Sequence, residues 1–418
     1  MAEADTAVAT IDMPAHRHWL VAEGQRLLDF SKASRLPSGG FCGLDATGER
    51  PEGAVADTII TARMTYSYAL AAMQGLPGSV PLVDHGLAAL SGLLCDDAHG
   101  GWHEQDPGSP SGGGRKKAYV QAFVALAASA ATMLGRPDAG ELLKSVEAVI
   151  VDRFWAEDEG AMRESFAADW SDAEDYRGAN ANMHALEAFL AVFDATGDAV
   201  WLDRSVRIAD RFANRLARER RFVIPEHFTS DWTLLADFHR DQPDHAFRPY
   251  GTTPGHSLEW SHLCLKLEAG LTAAGRSAPA WLVECARELF AGGVRDGWNR
   301  DGASGLVYTI GWAGEVSVPN TAHWTLAEGI TAAALLFRRT GEADYADWYA
   351  RLWDYVDLAL IDRRGGSWWN EVDRDNRPSE RIYTGKPDLY HAYQPTLTPR
   401  LPIAASIPGA LARGELQG

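Results

Sequence analysis

A short glycine-rich, aromatic segment returns along this chain after an acidic turn, at Gly39-Gly40-Phe41, Gly100-Gly101-Trp102, Gly160-Ala161-Met162, Arg221-Phe222-Val223, Ser304-Gly305-Leu306 and Gly365-Gly366-Ser367. Taken at positions 40, 101, 161, 222, 305 and 366, the markers are separated by 61, 60, 61, 83 and 61 residues. A fixed period of this size marks an array of identical supersecondary units rather than an irregular globule. The one long interval fits an insertion of roughly twenty residues around Asp231 to Tyr250. Between markers lie paired stretches with apolar residues at three- and four-residue spacing, such as Ala69, Ala72 and Met73, or Leu186, Phe189 and Leu190. The pairs are 57–76 with 80–95, 117–135 with 138–155, 180–197 with 199–218, 254–275 with 278–295 and 320–341 with 343–360; single stretches at 14–34 and from 388 complete twelve helices.

A row of helical hairpins either stays open as a solenoid or closes into a ring, and an open solenoid needs polar capping repeats. The region Leu389 to Leu411 is as apolar as the interior ones, so closure is expected. The expected fold is all-α: an (α/α)6 barrel of twelve helices with short β-hairpin-like connections, forming one catalytic domain over 1–418 with 1–13 flexible. The helix after each β-like segment is read as an inner one, because its first turns carry unusual polar residues. Arg63, Tyr119, Asn180 with His184, His256 with Glu259, Trp324 with Glu328, and His391 all lie near such starts. If the six starts converge, these residues line one cavity.

Composition narrows the partners. The 418 residues include 57 acidic and 39 basic side chains, a formal charge of −18, which argues against nucleic acid or an anionic membrane surface as partner. No apolar run approaches the ~20 residues of a membrane span, and Glu3 and Asp5 stand where a secretory signal carries basic residues. Cys42, Cys95, Cys264 and Cys285 are scattered and read as reduced thiols of a cytoplasmic protein. There is no Walker loop and no GxGxxG ahead of a helix, so no nucleotide cofactor is expected.

His256 and Glu259 sit three residues apart on one helix face, and Thr253-Pro254 before them reads as an N-cap followed by Pro at the first helical position. His391 falls at a similar start with Asp388 as its cap. The positive end of a helix dipole keeps such imidazoles neutral, as a general base near pH 7 requires. Proton abstraction beside a sugar carbonyl leaves an enediolate oxygen that Arg63 can stabilise. Taken singly, each of these residues also has a bland reading, as a cap, an ion-pair partner or core packing. Recurrence at one phase of successive repeats is what favours a site. His16, His18, His85, His99, His239 and His245 are read as solvent-facing, His103 and His227 as able to reach the cavity rim, His262 as structural, and His323 as undecided. His256-x-x-Glu259 and His184-x-x-Glu187 have the spacing of helical carboxylate metal sites but lack the further partners those need, so no metal is expected.

Five segments together resemble the N-acylglucosamine 2-epimerase superfamily. They are Thr61-Ala62-Arg63-Met64, Asn180-x-Asn182-Met183-His184-x-x-Glu187, Pro254-Gly255-His256-x-x-Glu259-Trp260, His323-Trp324-x-x-Ala327-Glu328 and Tyr390-His391. The likeness is closer to that superfamily's aldose–ketose isomerases, which include mannose and sulfoquinovose isomerases. It covers the chain from about His18 and implies a twelve-helix barrel and sugar interconversion without a cofactor in the chemical step. By that resemblance His256 and His391 are the acid/base pair, Glu259 assists His256, and Arg63 stabilises the enediolate. Tyr119, Asn180, His184, Glu187, Arg248, Trp324 and Glu328 form the expected substrate-binding set. Pro387, one turn upstream of His391, stands where a sulfonate-binding residue is expected in the sulfosugar enzymes, which favours mannose to fructose, with lyxose to xylulose beside it. A 2-epimerase or a sulfoquinovose isomerase is the alternative, and a glycoside hydrolase or a non-catalytic binding protein on the same barrel stands further off. The expected partner is a monosaccharide, and the oligomeric state, monomer or homodimer, stays open.

Overall fold

The computed structural model describes residues 9–109 and 114–417. Its helices are α1 (Pro14–Ser31), α2 (Thr58–Met73), α3 (Ser79–Ser91), α4 (Ala118–Met133), α5 (Ala139–Val149), α6 (Ala179–Thr196), α7 (Val200–Ala209), α8 (Ala217–Glu219), α9 (Pro254–Ala273), α10 (Trp281–Gly297), α11 (His323–Thr340), α12 (Ala343–Tyr355), α13 (Leu389–Leu397) and α14 (Ile407–Ala412). Helices α2, α4, α6, α9, α11 and α13 pack in succession and α13 returns to α2, so the inner ring closes. Each is backed by an outer helix, α3, α5, α7, α10 and α12 in turn, with α1 behind α13. The fold is the (α/α)6 barrel.

The two rings differ as their sequences demand. Outer helices bury one stripe, as α5 does with Ala139, Leu142, Leu143 and Val146. Inner helices are buried nearly all round, and in α4 the small side chains of Ala122, Ala125, Ala127, Ala128, Ala130 and Ala131 let neighbours approach closely. The repeated glycine marker has a definite role: Gly40, Gly101, Gly160, Gly305 and Gly366 all have positive φ, which costs a glycine little. Each turns the chain from an outer helix into a short antiparallel bridge, Arg35 to Phe41, Cys95 to Trp102, Trp155 to Met162, Trp298 to Leu306 and Ile361 to Trp368. The marker at 222 lacks the glycine, and Arg221 and Phe222 themselves take left-handed conformations there.

A second set of bridges joins neighbouring units: Asp57 with Gln105, Lys116 with Phe166, Arg177 with Phe228, Thr252 with Ile310, Glu371 with Ala322, and Leu44 with Lys386. The last links the first unit to the sixth, so the backbone forms a complete collar around the mouth where all six inner helices begin. Three collar strands carry a cation that pairs with the acidic turn of the preceding hairpin: Lys116 with Asp96 at 2.7 Å, Arg177 with Glu159 at 2.8 Å and Lys386 with Asp362 at 2.6 Å. Lys116 and Lys386 have no side-chain exposure, and Trp170 and Trp369 lie 4.4 and 3.5 Å from their ammonium groups.

The sequence reading needs two corrections here. The expected flexible stretch 1–13 lies in part, over 1–8, outside the described residues, but Thr10–Asp12 form a 3-10 turn with Ile11 buried and Asp12 2.7 Å from Arg338. The apolar region from 389 to 411 is not one helix. Pro399, in a 3-10 turn after α13, cannot continue it, and α14 packs on α2, α4 and α6, where Ser406 caps it and donates to Asp194 at 2.5 Å. No helix among the described residues is long and apolar enough to cross a membrane.

Candidate active site

The collar encloses a cavity of about 690 Å³. Because every inner helix enters at the same level, residues at the same count from each start form layers. The sixth residues are Arg63, Phe123, His184, Glu259, Glu328 and Gln394, and His256 and His391 are third in α9 and α13. Arg63, Tyr119, Asn180, His184, His256, Glu259, Trp324 and His391 all line the cavity, together with His323, Tyr383, Phe247 and Asp388.

His256 donates from Nδ1 to Glu226 Oε1 at 2.8 Å, and His391 donates from Nδ1 to Glu328 Oε1 at 2.8 Å. In each case the carboxylate fixes the tautomer and leaves Nε2 as the ring's free nitrogen. The indole of Trp324 is close to both rings, 5.0 Å from His256 and 6.0 Å from His391 by ring centroids. Its Nε1 donates to Tyr383 at 3.1 Å, which fixes the plane of the indole. Arg63 donates to Asp388 and to the Tyr119 hydroxyl, both at 2.8 Å, with Phe123 4.4 Å beneath its guanidinium. Burial opposes the Arg63 charge, but Tyr119 and Asp388 more than offset this and raise its basicity. Asp388 thus caps α13 through Tyr390 N and anchors Arg63 with its other oxygen.

The other ionisable groups around the cavity diverge. Burial lowers His184 to about 4 and His323 to about 3, so both are neutral imidazoles at pH 7. His323 donates from Nδ1 to Asn370 O at 3.1 Å, and its Nε2 has no partner within the protein. Burial also works to raise Glu187, but His184, Lys266 and Tyr390 hold it down at about 2. Glu259 goes the other way, raised by burial and by the neighbouring carboxylates of Glu328 and Glu187. Its nearest charged-type contact is His184 Nδ1 at 3.7 Å. His184, Glu187 and Glu259 present ligand-type atoms within 4.8 Å of one another. Glu187 also accepts from Tyr390 and lies 3.9 Å from Lys266 Nζ, a cation already occupying part of that space.

The structure redraws several expected relations. Glu259 does not partner His256: equal helix spacing sets the Cβ positions, but the imidazole turns to Glu226, which arrives from the collar strand. Glu187 and Glu328 stand behind the cavity wall, holding His184, Tyr390 and His391. Arg248 does not line the cavity. Glu174 at 2.7 Å and Glu164 at 3.2 Å occupy its guanidinium, and this clamp anchors the inserted loop whose Ala246 and Phe247 reach the cavity. His227 accepts from Tyr176 at Nδ1 and donates to Pro249 O at 2.7 Å, and His103 sits 3.9 Å from Asp96; neither reaches the cavity. His16 and His85, read as solvent-facing, are half-buried and bonded to Tyr349 and Gly40 O. His262 is buried on Glu328.

The profile of the N-acylglucosamine 2-epimerase (GlcNAc 2-epimerase) family matches residues 39–395. The chain is 53% identical over 402 residues to a D-mannose isomerase of Pseudomonas cannabina pv. alisalensis, covering 96% of each chain. It is 48% identical over 401 residues to a D-mannose isomerase of Thermobifida fusca, covering 95% of this chain and 97% of that one. A crystal structure of D-mannose isomerase superposes with a TM-score of 0.84 at 27% identity, over 92% of this chain and 98% of the other. Layered polar side chains around one closed mouth, and relatedness along nearly the whole length, place the chain in the N-acylglucosamine 2-epimerase family as a sugar isomerase.

Proposed function

We propose that this chain interconverts D-mannose and D-fructose, with lyxose and xylulose as a smaller pair, through a cis-enediol. The observation that carries the chemistry is the pair of carboxylate-held histidines that both approach Trp324 in the cavity wall. The sugar's choice rests on the relatives named D-mannose isomerase. Lys386 at the cavity rim supports an unsulfonated hexose, because its ammonium is taken by Asp362 and is not free for a sulfonate.

The protonated carboxyl of Glu259 donates to the ring oxygen as the pyranose opens, with the neutral His184 beside it to take the anomeric hydroxyl proton. One imidazole Nε2 then removes the proton on C2, and the C1 carbonyl oxygen, held by Arg63, gains negative charge. The imidazolium returns that proton to C1 and the C2 hydroxyl proton passes to the O1 oxygen, so C2 is oxidised as C1 is reduced and no external electron carrier enters. A glycoside hydrolase would need a second free carboxylate, and both oxygens of Glu328 are occupied by imidazoles.

Incubation with mannose in deuterated water tests the reading by NMR. Fructose carrying deuterium at C1 is expected, and its loss in both His256→Ala and His391→Ala. Activity that persists in both variants refutes the acid/base assignment, and absence of fructose with wild type refutes the substrate.

A further inference from the structure

The two catalytic imidazoles are not equivalent, and the difference lies one residue beyond each. Glu226 hydrogen-bonds His256 with Oε1 and no other side chain among the described residues. Glu328 is divided: Oε1 accepts from His391 at 2.8 Å and Oε2 accepts from His262 Nε2 at 2.5 Å. His262 is 2% exposed, its Nδ1 has no partner, and it does not line the cavity. An ionised carboxylate can only accept, so the short contact requires the Nε2–H tautomer of His262 and leaves Nδ1 as a bare lone pair.

We propose that His262 is a positioning residue for proton transfer: its Nε2–H holds the far oxygen of Glu328, which fixes the ring of His391 and makes it a weaker base than His256. The reasoning is electrostatic. A carboxylate that already accepts a strong hydrogen bond has less charge to offer a second donor, so the His391 imidazolium is stabilised less than that of His256 on an undivided carboxylate. In a dry site this difference is not levelled by solvent. The division of Glu328 thus makes the two imidazoles unequal partners in proton transfer.

The surroundings are consistent with this. His262 and Glu328 face Lys266, Glu187 and Glu259; His391 faces Glu328, Asp388, His184 and His323. Lys266 and burial both disfavour a charged His262, so it acts as a neutral donor rather than a second cation on Glu328.

The inference rests on the proposed isomerase chemistry, so its primary readout needs no substrate. Imidazole nitrogen NMR of the full-length protein, with His391 assigned by His391→Asn, is compared among wild type, His262→Leu and His262→Gln. Glutamine keeps an N–H donor at the Nε2 position; leucine removes it. The expected result is a rise of about one pH unit in the His391 titration midpoint in the leucine variant and recovery toward wild type with glutamine. The limb of the kcat/KM profile that reports His391 should move with it. An unmoved His391, or equal shifts with leucine and glutamine, overturns the proposal, since equal shifts report altered packing alone. If the leucine variant does not fold, His262→Asn, too short to reach Oε2, replaces it with the same expected shift and the same refuting results. Failure of wild type to isomerise any sugar counts against the function proposed above, and the titration still decides the role of His262.

Discussion

Glu226→Gln is the substitution that most directly tests how this site works. Glu226 is 3% exposed, does not line the cavity, and holds His256 Nδ1 at 2.8 Å. Glutamine is nearly isosteric, so packing is retained while the negative charge behind the imidazole is lost. A hydrogen bond to a charged group is worth about 1.5–3 kcal/mol, and each 1.4 kcal/mol is roughly tenfold in rate, so kcat should fall about ten- to a hundredfold. The loss is larger if the amide presents its N–H to Nδ1, because that forces the other tautomer and puts the proton on the nitrogen facing the sugar. KM should stay close to wild type, since Glu226 touches no substrate. Steady-state kinetics with mannose, alongside a thermal melt to verify folding, separates these effects. A kcat within twofold of wild type, or a loss confined to KM, refutes the idea that Glu226 tunes His256.

Two further outcomes concern stability. His184 and His227 have folded-state pKa values of about 4 because burial disfavours their charged forms. The unfolded chain therefore binds more protons between about pH 6.5 and 4, so their contribution is complete above pH 6.5 and is lost as pH falls toward 4, roughly 3 kcal/mol for each. Chemical denaturation between pH 7 and 4 should show a steep decline, and a flat profile would contradict the neutral buried imidazoles. Lys116→Met should destabilise by about 3–5 kcal/mol, because it strands the Asp96 charge on a lysine site without exposure; adding Asp96→Leu should restore most of the loss, and no recovery in the double mutant would rule out the ion-pair explanation.

The repeat made the barrel readable before any coordinates, because its period is imposed by a physical need: each hairpin must turn at the same place to meet its neighbour. Five of the six turns use a glycine of positive φ, and these are the marker. What the period could not reveal is the floor. Helix α14 follows a broken helix and belongs to no repeat, and only the packing shows that its apolar face lies against α2, α4 and α6. In the site, residues on inner helices were legible because a helix start fixes their depth. Partners on collar strands were not. Glu226 and His227 are adjacent, so in an extended segment they point to opposite sides. The sequence offered His227 for the cavity rim, and the structure turns it toward Tyr176 and Pro249 while Glu226 takes His256. Nothing local distinguishes the two faces, because the partner that decides is thirty residues away.

Glu259 illustrates how neighbouring buried carboxylates set proton affinity without any dedicated acid. Glu187 and Glu328, buried like Glu259, lie close enough to it to raise its proton affinity. The proton goes where the anion is least supported. Glu328 has two imidazole donors; Glu187 has the Tyr390 hydroxyl, His184 and the nearby Lys266. Among the described residues no side chain donates a hydrogen bond to Glu259, His184 being 3.7 Å away, so burial and its two neighbours raise its proton affinity unopposed by a donor. It is also the one of the three that lines the cavity. That opening toward the cavity is what suits Glu259 to the ring-opening role proposed above, while the other two carboxylates are supported by their own donors.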